Sequence, residues 1–162
     1  MVSLFKNPFN REGEAGAGDA RNKRKRTVMV KELRERDRRR MLKHFLALDD
    51  SDRLLRFGTT LPDELVESYV ARIDFERDMV YGVYNRVFKL VAVGHLAFAP
   101  KEKSPGKVVT TKEQVAEFGV SVSLSARGLG IGSKLFERAA IHCRNQDVDT
   151  LYMHCLSSNQ VM

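Results

Sequence analysis

The chain has 162 residues, a net charge of +7, 43% hydrophobic residues and two cysteines. That length suits one domain burying about 70% of its unfolded surface. No apolar run is long enough for a transmembrane helix, no apolar signal core opens the chain, and no Cys/His set has zinc spacing. A cytoplasmic protein without membrane or metal is therefore expected, with Cys143 and Cys155 as reduced thiols. The charge is uneven. Up to Arg40 there are 13 Lys and Arg against 6 Asp and Glu, so the whole excess sits in the first quarter and the rest is neutral.

Residues 1–26 mix Gly, Ala, Asn and charge without periodicity, which predicts a disordered basic tail ahead of a domain spanning 27–162. The cluster Lys23-Arg24-Lys25-Arg26 is the place where nucleic acid would be met. No aromatic residues are interleaved to stack on bases, so a solvated tail is the preferred reading. Thr27 to Leu33 alternates and predicts a short strand; Glu35 to Leu48 predicts a helix with Met41, Leu42, Phe45 and Leu46 on its apolar side. Arg36, Arg38, Arg39 and Arg40 fall on the other face, solvated or paired with Glu35 and Asp37.

Asp49 to Asp52 breaks that helix and can cap a turn after it. In Ser51 to Phe57, Arg53 and Arg56 share a helix face, and surface charge is their default reading. Thr60 and Pro62 start the next helix, with Leu65, Val66, Tyr69, Val70 and Ile73 as its buried stripe. Met79–Tyr84 and Val87–Ala99 read as antiparallel strands joined at Asn85-Arg86, a turn without the glycine that a tight hairpin prefers. Pro100 to Gly106 is a loop.

The strand from Ala116 to Leu124 puts Phe118, Val120, Val122 and Leu124 on one side and Glu117, Gly119, Ser121 and Ser123 on the other. Gly128, Gly130 and Gly132 come next, then a helix whose stripe is Ile131, Leu135, Ala139 and Cys143. A glycine-rich turn at a helix N-terminus is an anion site, because free N–H groups and the helix dipole both favour phosphate oxygens. Arg127 and Lys134 would add charge; a plain tight connection is the alternative. Gly132-Ser133-Lys134 fails the Walker pattern, and Ser133 stands where a dinucleotide fingerprint needs its third glycine. Asp147 to Leu156 is a last strand, giving the order β-α-α-β-β-β-α-β and an α/β (α+β) fold with a mixed, mostly antiparallel central sheet flanked by helices.

Arg127, Gly130 and Gly132 fit the pattern Arg/Gln-x-x-Gly-x-Gly/Ala. This resembles the acyl-coenzyme A loop of the GNAT-type N-acetyltransferase superfamily, with element order similar from Val28 onward and specific similarity from Ala116 to Asn159. The resemblance implies an acyl-CoA N-acyltransferase-like fold lacking its last helix and strands, as in a C-terminally truncated chain. It also implies acetyl transfer from acetyl-CoA to a primary amine, of a protein lysine or a small molecule. Carried over, Arg127, Gly128, Gly130, Gly132 and Ser133 hold the coenzyme diphosphate. The backbone of Val122 and Leu124 pairs with its pantetheine arm or donates to the oxyanion, and Asn159 lies near that arm. Glu117 is the implied base. Leu124 and Ala126 depart from the proline and the aromatic common there. Ser51 to Phe57 is similar to a segment near the acceptor cleft in some protein-acetylating members.

His44, His95, His142 and His154 share no spacing and read as structural, and Ser121 and Ser123 have no recognisable histidine partner. The strand around Tyr152 would leave an open edge, where a homodimer could form. A non-catalytic coenzyme-binding or nucleic-acid-binding remnant remains the alternative to the enzyme.

Overall fold

The computed structural model describes residues 28–99 and 114–153. The basic tail, the 100–106 loop, His154, Cys155 and Asn159 lie outside the described residues. Five strands form one sheet in the order β1 (Lys31–Leu33), β2 (Met79–Tyr84), β3 (Leu90–Phe98), β4 (Val115–Val122) and β5 (Thr150–Met153). The first four run antiparallel, and β5 pairs parallel with β4 across the crossover helix α4 (Ile131–Asn145). The mixed, mostly antiparallel sheet expected from the sequence is present.

Three helices, not two, precede β2: α1 (Arg38–Leu46), α2 (Asp50–Phe57) and α3 (Asp63–Ala71). A 3-10 turn at Glu35–Asp37 opens the first. The segment around Arg53 and Arg56 forms its own helix because Asp49 caps it, accepting from the Asp52 N–H at 2.8 Å. Thr60 does not cap α3; Pro62 holds the cap position, and Leu65 points outward at 51% exposed. The β2–β3 turn is longer than two residues. The Asn85 side chain accepts from the N–H groups of Val87 and Lys89, so β3 begins only at Leu90.

The sheet is covered on both faces. Even-numbered residues of β4, Ala116 and Phe118 among them, pack with Leu96, Leu135, Ala139 and Cys143 under α4. On the other face Leu33, Met41, Phe45, Val66, Val70, Val80 and Val93 make a second core with α1 and α3. Phe45 and Phe118 are essentially fully buried, each stabilising the fold by about 2–3 kcal/mol.

Arginines tie the helices of that second face together. Arg53 is not surface charge. Buried at 7% exposed, it donates to the carbonyls of Leu46, Leu48 and Leu61 and pairs with Asp63 at 2.7 Å. It thereby satisfies the open carbonyl end of α1 and the acidic start of α3. Arg38 does the same for α3, donating to Val70 and Ile73 carbonyls while Glu35 holds its other side.

His44 on α1 is buried and shares a 2.8 Å hydrogen bond with Ser121 Oγ on β4. Burial pushes its pKa down from 6.5 to about 4. Between these values the unfolded chain binds a proton that the folded chain does not, so stability falls as pH drops through that window. The expected loss is on the order of 3 kcal/mol. His44→Gln keeps a nitrogen toward Ser121 but cannot titrate, and should flatten the fall of the urea midpoint between pH 6.5 and 4. An unchanged slope would assign the acid sensitivity to other groups.

Candidate functional site

β4 leads directly into the glycine turn. Its pairing with β3 matches Ser121 to Val93 and Val122 to Ala92, and the Ser123 N–H donates to the Val91 carbonyl at 2.8 Å. Odd-numbered residues therefore spend their backbone groups on β3. Even-numbered ones, Val120 and Val122 included, turn theirs toward β5. Within the described residues β4 pairs with β5 only from Val115 to Phe118. The N–H groups of Val120 and Val122 thus face the side of β4 beyond that pairing. Val120 was not among the residues expected from the sequence, although its parity with Val122 marks it.

Leu124 is not part of the strand. β4 ends at Val122, and Leu124 opens a 3-10 turn of three residues, with its side chain 76% exposed. The chain then passes Gly128 and Gly130, both at φ 71, where a Cβ would be strained, yet no other atom lies within 4 Å of one built at either. Gly130 is the N-cap of α4 and no side chain caps it. Lys134 is the first residue to donate back, to the Gly130 carbonyl at 3.1 Å. The N–H groups of Ile131, Gly132 and Ser133 open the helix without an intrahelical acceptor. Gly132 lies against Val122, so the turn and the end of β4 are contiguous.

The two cations expected to point at this turn are both engaged. Lys134 pairs with Glu137 at 2.6 Å. Arg127 donates through Nε to the Val122 carbonyl at 3.2 Å and through its terminal nitrogen to Asp52 on α2. Glu117 is exposed on β4, on the face turned toward α2 that it shares with Gly119 and Ser121. It also stands beside Tyr152 of β5 in register, at a depression of about 390 Å³ lined by Ala97, Phe98, Ala116 and Glu117.

On this same face the structure assembles a chain of polar groups from α2, α3, β3 and the residue just before β2. Asp78 accepts from His95 Nε2 at 3.0 Å, His95 Nδ1 meets Tyr69 Oη at 2.7 Å, and Tyr69 Oη meets Arg56 at 2.5 Å. Burial alone would raise the Asp78 pKa, but hydrogen bonds from Arg77 and His95 carry it below the usual range. Burial raises that of Tyr69 and lowers that of His95. Asp78 is then a carboxylate, His95 a neutral ring with its proton on Nε2, and Tyr69 a phenol donating to Nδ1. Every donor points the same way, from Arg56 toward Asp78. The Arg56 guanidinium lies 4.9 Å from the ring centre of Phe57, 5.3 Å from Tyr69 and 5.7 Å from Phe45. None of these partnerships shows in sequence spacing.

The sequence profile of the acetyltransferase (GNAT) family matches residues 55–162, which spans β2 to β5 and the whole glycine turn. The chain belongs to the GNAT acetyltransferase family. It is an acyl-CoA-dependent N-acetyltransferase by that membership. Its fold is similar to the GNAT domain of PAT from S. lividans, with TM-score 0.61 and 19% identity over 80% of this chain and 73% of that one. It is also similar to glucosamine-6-phosphate N-acetyltransferase from Arabidopsis thaliana, with TM-score 0.55 and 18% identity over 83% and 86% of the chains. A third is ribosomal-protein-alanine N-acetyltransferase from Brucella melitensis, with TM-score 0.56 and 15% identity over 83% and 84%. No curated protein sequence matches the chain at a significant level.

The family uses acetyl-CoA as co-substrate, and this GNAT chain fits it. The space over Gly128 and Gly130 is open, the α4 amides border it, and Gly132 at the start of α4 lies against the Val122 side chain. Among the described residues no group of three or more His, Cys, Asp or Glu could hold a metal ion, and no helix is long and apolar enough to cross a membrane.

Gly119 is what admits Arg56 to the sheet. A Cβ there would lie 2.4 Å from Arg56 Nη1 and 2.5 Å from Cζ. The guanidinium is walled by three rings, so it must shift against them to make room. Gly119→Ala is therefore expected to destabilise the fold by about 1–3 kcal/mol, read from urea unfolding. A loss below about 0.5 kcal/mol would show that the cage yields.

Proposed function

We propose that this GNAT protein transfers the acetyl group of acetyl-CoA to a primary amine by direct attack, with Glu117 as the base. One observation carries the reading. The open turn at the start of α4, the outward amide of Val122 and the exposed carboxylate of Glu117 all stand on one continuous stretch of chain. In this reading the amides of Gly128, Gly130, Gly132 and Ser133 hold the diphosphate, helped by the guanidinium of Arg127. The Val122 N–H orients the arm or donates to the oxygen on which charge develops. The co-substrate supplies the acetyl group as a thioester. Glu117 takes a proton from the ammonium form of the acceptor, directly or through one water, because only the neutral amine attacks. Asn159 near the arm, and a pairing of two chains along β5, belong to the same reading.

The acceptor is a protein lysine or a small molecule. Two structural neighbours are named for a sugar phosphate and for a protein alanine, so the same fold serves acceptors of both sizes.

The test is thiol release from acetyl-CoA together with the mass gain of one acetyl group on three acceptors: a lysine peptide, a peptide with a free N-terminus and an aliphatic diamine. Coenzyme A binding by calorimetry should be lost, by at least about tenfold in affinity, in Gly130→Asp, which sets an anion in the turn. Retained affinity would place the coenzyme elsewhere. Glu117→Gln is expected to lower kcat by about 10²–10⁴-fold while coenzyme affinity stays within a factor of about two. Equal turnover of variant and parent across pH would remove Glu117 from the mechanism.

A further inference from the structure

Among the described residues, the guanidinium of Arg56 stands on the acceptor face without a role in that reading. We infer that Arg56 is a positioning residue for the transfer: a guanidinium fixed on the face of β4 that Glu117 shares, where it favours the neutral form of the incoming amine. The inference rests on the reading of Glu117 as base given above.

Arg56 reaches this place by construction. It projects from α2 into the ring cage of Phe45, Phe57 and Tyr69 and presses on Gly119. Gly119 is two residues beyond Glu117 on the same face, about 7 Å along the strand. The partner that anchors it is the neutral oxygen of Tyr69, so the hydrogen bond fixes the guanidinium without cancelling its charge. The anchor is itself held. The Tyr69 proton is committed to His95 and the His95 proton to Asp78.

Among the described residues, the ionisable groups around Arg56 are few. Tyr69 faces it from α3, His95 from β3, His44 from α1 and Glu117 from β4. Asp78, at the foot of β2, is bonded to Arg77 and His95; Asp52, one turn earlier on α2, is bonded to Arg127. Burial keeps both histidines neutral near pH 7. Among the described residues of this cluster, the guanidinium is a positive charge on the face that Glu117 shares.

Its effect on the reaction comes through proton balance. The acceptor arrives as an ammonium ion and gives one proton to the Glu117 carboxylate. Its lone pair then forms the bond to the thioester carbonyl carbon, and the C–S bond breaks. Nitrogen loses a second proton and sulfur leaves as thiol. A fixed cation nearby destabilises the ammonium form relative to the amine and so lowers the pKa of the bound acceptor. A cation held over Gly119, two residues along the same face from Glu117, is expected to be worth about one pH unit in the protonation of the bound amine.

The experiment is the pH profile of kcat, taken on whichever of the lysine peptide, the free-N-terminus peptide and the diamine turns over fastest, for wild type, Arg56→Met, Arg56→Lys and Tyr69→Phe. Arg56→Met should move the acidic limb up by about one unit, an about tenfold loss on that limb, with coenzyme A affinity unchanged by calorimetry. Arg56→Lys, which keeps the charge, should restore most of the limb. Tyr69→Phe leaves the charge but frees it, and should give a smaller upward shift. A wild-type limb in Arg56→Met, or Arg56→Lys behaving as Arg56→Met does, would overturn the inference. If circular dichroism shows Arg56→Met unfolded, Tyr69→Phe decides: an upward limb supports the inference and a wild-type limb overturns it. Failure of the wild type to acetylate any of the three amines would instead overturn the reading of the function, and this inference with it.

Discussion

The constraint on which the structure rests is that a strand has two faces and two edges, and β4 uses all four. Even-numbered side chains go down into the core beneath α4, with Phe118 as the largest. Odd-numbered side chains face α1 and α2, where Gly119 meets Arg56 and Ser121 meets His44. Odd-numbered backbone groups bond to β3, and even-numbered ones turn to the β5 side. A slip of one residue would reverse all of these at once, putting Phe118 against a polar face and Glu117 into the core. The buried ring of Phe118 and the His44–Ser121 bond hold the register from opposite sides.

This division explains how one strand can serve both substrates of a GNAT enzyme. The edge with outward amides continues into the glycine turn, so a phosphate-bearing arm and its terminal diphosphate can be met by successive parts of one chain. The face with Glu117 is perpendicular to that edge, so in the proposed reading the acceptor and the arm meet different sides of the strand. α2 touches both regions: Asp52 holds Arg127 at the turn, and one turn later Arg56 rests on Gly119. Residues four apart share a helix face, so one short helix reaches the two ends of the site.

Much of the second face is built from arginines that look like surface charge in the sequence. Arg38 and Arg53 spend their donors on carbonyls at helix ends, and Arg56 is packed among rings. A planar guanidinium with five donors can satisfy several open carbonyls at once, which a lysine cannot. Short helices such as α1, α2 and α3 have little stability of their own, so these cross-links decide how they pack.

The alternation of β4, the stripe of α4 and the glycines between them could be read directly. Each is a local signal: period two, period four, and residues able to take positive φ, set by backbone sterics within a few positions. From them came the sheet, the crossover and the family resemblance. The length of β4 past Val122, the independence of α2 and the outward turn of Leu65 could not be read that way, because neighbouring apolar residues look alike until packing chooses among them. The polar partnerships were least legible. Arg127 with Asp52, His44 with Ser121 and Tyr69 with His95 join positions far apart in the chain. A side chain's chemistry says what kind of group it can bond. Which group that is depends on which elements the folded sheet brings face to face, and that was decided only by the tertiary structure.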